Sequence, residues 1–412
     1  MSVRAEQSSR PRYPSPSSRR RRGALTTGAA ALCGSLAVGL LAPAAASAEA
    51  PPRARGGVVQ QELDALVRAD GFPGALAAVR TQNGRVRHYT AGVGDLETGR
   101  KVPVDGRVRI ASNTKTFTAT VLLQLVQEGR VDLDAPVEAH LPGLVRGEGI
   151  DGHRITVRQV LQHTSGLPDY ARVIYTDPTD PTEDLHTYFE PRALLDMGLS
   201  QPALFAPGTS WAYSNTNYAV AGLIVQAVTG RPVGEEITRR IIEPLHLEDT
   251  YWPGEGEQTI RGEHPRGYAF PRAADGTVVQ GPLVDVTDQD PSAPWAAGAL
   301  VSTPGDLLAF FTALVEGELL SPEMLEQMQT TVPVPADQSL RATGEEYGLG
   351  LQTFPLSCGG IGWTHGGDIS GTETRGAVTE DGRGVMIAVT ATPPTVEAYV
   401  HVEEAVDAAI CR

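Results

Sequence analysis

Residues 110–129 read Ile110-Ala-Ser-Asn-Thr-Lys-Thr-Phe-Thr-Ala-Thr-Val-Leu-Leu-Gln-Leu-Val-Gln-Glu-Gly129. Phe117, Val121, Leu122, Leu125 and Val126 recur at helical spacing, which predicts a helix buried along one face. Gly129 follows the last periodic residue and suits the left-handed position that stops a helix. Ser112 and Lys115 then share the first turn, three residues apart, with their side chains adjacent. The first-turn N–H groups have no intrahelical partner and can donate to an oxyanion. A hydroxyl beside an amine in that setting is a nucleophile arrangement, although a Ser-x-x-Lys spacing alone is common. The chain holds two lysines, Lys101 and Lys115, and its other fixed cations are arginines. Arginine stays protonated, whereas a buried lysine can lose its proton and act as a base.

The surrounding chain of 412 residues, 41% hydrophobic and 20% charged, has the composition of a soluble globular protein. Its front end reads differently. Arg19 to Arg22 form a basic block, Ala24 to Leu41 an apolar run, and Ala46-Ser47-Ala48 a small-residue cleavage site. That order predicts a secretory signal over residues 1–48, with an uncleaved anchor as the alternative and twin-arginine export left open. Residues 1–48 carry seven arginines against Glu6, so their removal takes the formal charge from −15 to −21. Such an acidic chain argues against nucleic acid or anionic lipid as partner. Cys33 leaves with the signal. Cys358 and Cys411 remain, an even pair in an oxidising compartment, either bridged or free and buried.

Residues 49–57 form a flexible Pro/Arg/Gly leader, and Val58 to Arg68 a helix. Gly74 to Arg80 and Val86 to Thr90 flank Gln82-Asn-Gly84, a hairpin signal. A short strand at Val108 to Ile110 delivers the chain to Ser112. Thr156-Val-Arg-Gln159 fits a capping box for a helix ending near His163. Further helices are expected over Leu194–Leu199, Asn217–Val228, Val233–Ile242 and Pro304–Leu314. Strands are expected at Tyr347–Gln352, Gly362–His365, Thr372–Val378 and Val385–Thr390, then a last helix over Thr395–Ile410. The fold class is therefore α/β of the α+β kind. A mainly antiparallel sheet comes from both chain ends (58–131 and 290–412), with a mostly helical part at 132–289 inserted between them.

Two further constellations can carry chemistry. Tyr213-Ser-Asn215 precedes a helix, and in extended chain Tyr213 and Asn215 point the same way. A phenol can shuttle a proton and an amide can hold a carbonyl. His365-Gly366-Gly367 ends a strand; its glycines allow close backbone approach, and the Asp368 N–H can donate to an oxyanion. The nine histidines show no metal-ligand spacing, and no phosphate loop or G-x-S-x-G elbow is present, so no metal or cofactor is expected.

Ser-x-x-Lys, Tyr-x-Asn and His-x-Gly in this order resemble the penicillin-recognising serine hydrolases. The resemblance runs from about Gly74 to Cys411 and includes Gln162-His-Thr-Ser-Gly-Leu167, Ser214-Asn-Thr-Asn-Tyr218 and Tyr347-Gly-Leu-Gly350. Its branch holds class C β-lactamases, D-alanyl-D-alanine carboxypeptidases and related esterases, and it is closest to the secreted actinomycete carboxypeptidases. The resemblance implies a β-lactamase/transpeptidase-like fold. It also implies that Ser112 is acylated, that Lys115 takes its proton and that Tyr213 passes protons to the leaving group. Asn215 would position Lys115 and the substrate amide, and His365 would stand where many relatives carry lysine. The N–H groups of Ser112 and Asp368 would form the oxyanion hole. His163-Thr-Ser-Gly166 is read as structural.

The chain departs from the carboxypeptidase pattern at the substrate carboxylate. Gln352 stands where an arginine is expected, and Gly366 and Asp368 stand where hydroxyl residues are expected. Arg375 on the next strand is the candidate substitute. The reading is a secreted, monomeric serine hydrolase taking a small peptide, ester or β-lactam, with no stable membrane association after signal removal. Foremost is a carboxypeptidase or D-amino-acid peptidase; an esterase or class C-like β-lactamase is the alternative, and a non-catalytic binding protein the remote one.

Overall fold

Gly74–Arg80 (β1) and Val86–Gly92 (β2) form the expected hairpin, paired from Gly74↔Gly92 to Arg80↔Val86. Gly84 closes the turn with φ +80, a conformation that suits an Asn-Gly pair. This description comes from a computed structural model, which describes residues 55–339 and 344–412. The signal and residues 49–54 of the leader lie outside the described residues. Among the described residues no helix is long and apolar enough to cross a membrane.

Helix Arg55–Arg68 (α1) starts three residues before the expected Val58. The remaining strands of the main sheet are Val332–Pro333 (β3), Glu346–Tyr347 (β4), Gln352–Pro355 (β5), Ile361–Thr364 (β6), Gly367–Ile369 (β7), Thr372–Val378 (β8) and Gly384–Val389 (β9). The order is β2-β1-β9-β8-β6-β5-β4-β3, with β7 paired to β8, and every pairing is antiparallel. Ala75↔Val389 joins the two chain ends. Tyr347–Gln352 is not one strand: β4 and β5 pair Tyr347↔Gln352 around a turn in which Gly350 has φ +76. The two glycines of that turn override the β-propensity of their neighbours.

Side chains alternate across the sheet. Leu76 and Ala78 of β1 enter one core; Ala75, Ala77 and Val79 enter another with α1 and the last helix, Val396–Cys411. Cys411 on that helix is disulfide-bonded to Cys358 between β5 and β6, across 53 residues.

The first core surrounds helix Thr114–Gln127 (α2), which is buried on every side from Thr114 to Leu123 rather than along one face. Its polar stripe survives burial because its hydroxyls are hydrogen-bonded. Thr116 donates to the Gly350 carbonyl (2.7 Å), Thr118 to Ala296 (2.9 Å) and Thr120 to Thr116 (2.8 Å). Thr156 and Gln159 form the capping box of Val157–Leu161 (α3). Pro191–Leu199 (α4) follows, then Asn215–Thr229 (α5), ended by Gly230 at φ +71. Val233–Ile237 runs on as a π-helical turn over Thr238–Ile242. The stretch 132–289 is thus less helical than the sequence suggested. Prolines such as Pro142, Pro168, Pro178, Pro181, Pro202 and Pro207 break it into long irregular connections. Helix Pro304–Val315 (α6), capped by Thr303, packs on the sheet through Leu307, Leu308 and Phe311.

Candidate active site

Strand Val108–Arg109 pairs with Val301–Ser302 and holds the chain as it enters the turn Ala111–Asn113. Ala111 adopts φ +46, a strained conformation for a residue with a Cβ. Ser112 sits on this 3₁₀ turn rather than on α2 itself, while Lys115 lies on the first turn of α2.

Lys115 is fully buried, with Nζ 2.9 Å from Ser112 Oγ, 2.8 Å from Asn215 Oδ1 and 2.9 Å from the Ala297 carbonyl. The last two oxygens can only accept. A neutral amine donates its two hydrogens to them and turns its lone pair to the Ser112 hydroxyl. Burial pushes the Lys115 amine down to about 7, against the opposing pull of Asp169 and Asp368.

Tyr213 lies in the extended segment before α5 and lines the cleft with Ser112, its ring 4.9 Å from Lys115 Nζ. Burial holds this phenol protonated, well above its ordinary range, so it is a proton donor at neutral pH. Asn215 is the first residue of α5, two residues earlier than the expected start, and its amide bridges Lys115 and Asp169.

His163 holds this arrangement from beneath. Its φ is +62, its Nδ1 accepts from the Ser214 N–H (3.2 Å), and its ring lies 4.5 Å from that of Tyr213. Its carbonyl accepts from the Ala212 N–H at 3.0 Å. These contacts are structural, since the ring supports Tyr213 and makes no hydrogen bond to Ser112 or Lys115.

On the opposite wall, β7 runs against the Ser112 turn. A Cβ on Gly367 would lie 2.2 Å from the Ile110 carbonyl oxygen and 2.7 Å from Asn113 Nδ2, so only glycine allows this approach. Asp368, whose N–H is the second oxyanion candidate, follows directly. His365 Nδ1 donates to the Gly366 carbonyl (2.6 Å), which leaves Nε2 to accept from the Tyr347 hydroxyl (2.9 Å). Burial, with Lys115 nearby, pushes His365 down to about 3, so it is a neutral ring with a fixed tautomer.

Gln352 and Arg375 line the cleft, but neither offers a free charge to a substrate. Gln352 donates to Glu345 (2.9 Å) and accepts the Gly366 N–H (3.2 Å). The Arg375 guanidinium lies 2.7 and 2.9 Å from the Asp368 oxygens, 3.2 Å from Glu373 and 3.7 Å from Glu403. It fills the space beside Gly366, where a Cβ would be 2.8 Å from Nη1. Its expected role as a carboxylate clamp therefore lacks an unpaired cation. Sequence reasoning missed Asp169 and Ala297. Asp169 follows Pro168 in what reads as an ordinary turn, and nothing local shows that this turn faces Ser112.

The cleft encloses about 650 Å³, the scale of a small-molecule site. A serine activated by a buried amine, a protonated phenol and a strand edge facing the serine can form and hydrolyse an acyl-enzyme. This defines a serine hydrolase. The Beta-lactamase family model matches residues 59–409, and the chain belongs to that family. A D-stereospecific amidohydrolase from a Streptomyces species is 38% identical, with TM-score 0.73, over 84% of this chain and 98% of that one. D-amino acid amidase from Ochrobactrum anthropi SV3, complexed with L-phenylalanine amide, is 29% identical with TM-score 0.74, over 86% and 97%. Penicillin-binding protein 4 of Amycolatopsis lactamdurans is 31% identical over 46% of this chain and 48% of its own. Protein flp of Staphylococcus aureus is 32% identical over 46% and 38%. The chain thus spans less than half the length of these last two relatives.

Proposed function

We propose that this serine hydrolase cleaves amides and esters of D-amino acids whose α-amino group is free, a D-amino-acid peptidase or amidase rather than a D-alanyl-D-alanine carboxypeptidase. In the reaction Lys115 removes the Ser112 hydroxyl proton as Oγ adds to the substrate carbonyl. Tyr213 gives a proton to the departing amine or alcohol, and the C–N or C–O bond breaks. Water then attacks the ester on Ser112, losing its proton to the Lys115–Tyr213 pair and returning Ser112 with a free acid. The Ser112 and Asp368 N–H groups hold the oxyanion in both halves.

The observation that carries the substrate class is the charge of the cleft. Asp169, Glu345, Asp368 and Glu403 line it, against Arg375, which is already paired, and Lys115, which the mechanism needs neutral. A substrate ending in a carboxylate meets repulsion there, and one carrying an ammonium is attracted. The likeness to a D-stereospecific amidohydrolase over nearly its whole length supports the same choice. Export by the N-terminal segment and a monomeric state belong to this proposal as well; the mature N-terminus and mass in culture medium test them.

The test compares kcat/KM for a D-amino-acid amide, its L-enantiomer and an N-acylated D-alanyl-D-alanine. The D-amide is expected to be the preferred substrate of the three. Preferred release of D-alanine from the acylated dipeptide would overturn the reading.

A further inference from the structure

We propose that Asp169 recognises the substrate's α-ammonium and so sets the preference for a free amino terminus; this rests on the function proposed above. Asp169 lines the cleft, and its contacts are all with neutral donors. Oδ1 accepts the N–H groups of Asn215 and Ala171, each at 3.1 Å, and the Asn215 amide Nδ2 lies 3.2 Å from both carboxylate oxygens. Among the described residues no Lys, Arg or His lies within ion-pair distance of it.

The other cleft carboxylates are engaged differently. Asp368 and Glu403 face Arg375, and Glu345 accepts from Gln352 and Ser339. Asp169 and Glu345 are both held by neutral donors, but Asp169 is fixed by two backbone N–H groups and the Asn215 amide. It also stands beside the machinery, joined to Lys115 through a single Asn215 side chain.

An α-nitrogen lies only about 2.5 Å from the carbonyl carbon it flanks. The group that reads it must therefore sit close to the point of attack, as Asp169 does. A carboxylate there also opposes the loss of the Lys115 proton, a cost that a bound ammonium offsets. An N-acylated substrate keeps a single uncharged N–H at that nitrogen, so it loses the charge attraction to Asp169.

The experiment uses Asp169→Asn and Asp169→Glu in the full chain. Each is assayed on a D-aminoacyl p-nitroanilide and its N-acetyl counterpart, with a thermal melt to establish folding. For Asp169→Asn, kcat/KM on the free-amino substrate is expected to fall about 10- to 100-fold, mainly through KM. The N-acetyl substrate should lose far less, so the preference between them collapses, and Asp169→Glu should restore part of it. Equal losses on both substrates would show that Asp169 only holds Asn215, and would overturn the proposal. A wild-type enzyme that cleaves the N-acetyl substrate as well as the free one would instead refute the substrate class itself.

Discussion

Asn113 reaches from the Ser112 turn to the main sheet, its Nδ2 donating to Thr374 Oγ1 at 2.7 Å and to the Ile110 carbonyl at 2.9 Å. One buried amide thereby ties the nucleophile's turn to β8, the strand on which β7 is built. Asn113→Ala leaves a buried hydroxyl with poorer partners and is expected to cost about 1–3 kcal/mol of stability. The fall in turnover should appear in kcat more than in KM, because the oxyanion geometry loosens while the rest of the cleft remains. Denaturant melts and steady-state kinetics on one ester measure both.

The approach of β7 makes a sharper prediction. Gly367→Ala places a methyl group against the Ile110 carbonyl, so β7 and the Ser112 turn must separate. A displacement on the order of 1 Å in reacting geometry costs about 10²-fold in rate. The variant should remain folded by circular dichroism and lose about that factor in kcat/KM.

The acid limb of the pH profile reports Lys115. Its folded value is pushed down to about 7, so the base is protonated and idle below that pH and active above it. His365, pushed down to about 3, stays neutral throughout this range and adds no second limb. Asp169 raises the Lys115 value, so Asp169→Asn should move the limb to lower pH. The kcat/KM profile of an uncharged ester is the measurement, and a shift to higher pH would contradict the assignment.

The disulfide fastens the last helix to the turn between β5 and β6. Cys358→Ser or Cys411→Ser is expected to cost about 2–4 kcal/mol. Melting with and without reductant should show the same loss in the wild type and no further loss in either variant.

Much of this site can be read from the chain. Ser112 and Lys115 stand three apart in a helical pattern, Tyr213 and Asn215 two apart at the start of a helix, and the glycines at 366 and 367 announce a close approach. The hairpin and β8 are equally visible, because turn chemistry and β-branched residues act locally. Less visible are features that depend on the partner across space. Strands of two residues, such as β3 and β4, have too short a pattern to register. The threonines of α2 suggest an exposed stripe until their acceptors on Gly350 and Ala296 are in view. Arg375 resembles a free cation in sequence, and only the fold brings Asp368, Glu373 and Glu403 to it.

The central claim is that a D-aminoacyl group is carried on Ser112. Intact-mass measurement of enzyme mixed with a D-amino-acid ester and quenched during turnover tests it directly, with Ser112→Ala alongside. The account predicts a gain equal to one aminoacyl group on the wild type, none on Ser112→Ala, and no ester hydrolysis by the variant above background. Turnover by Ser112→Ala, or an adduct on both proteins, would contradict it.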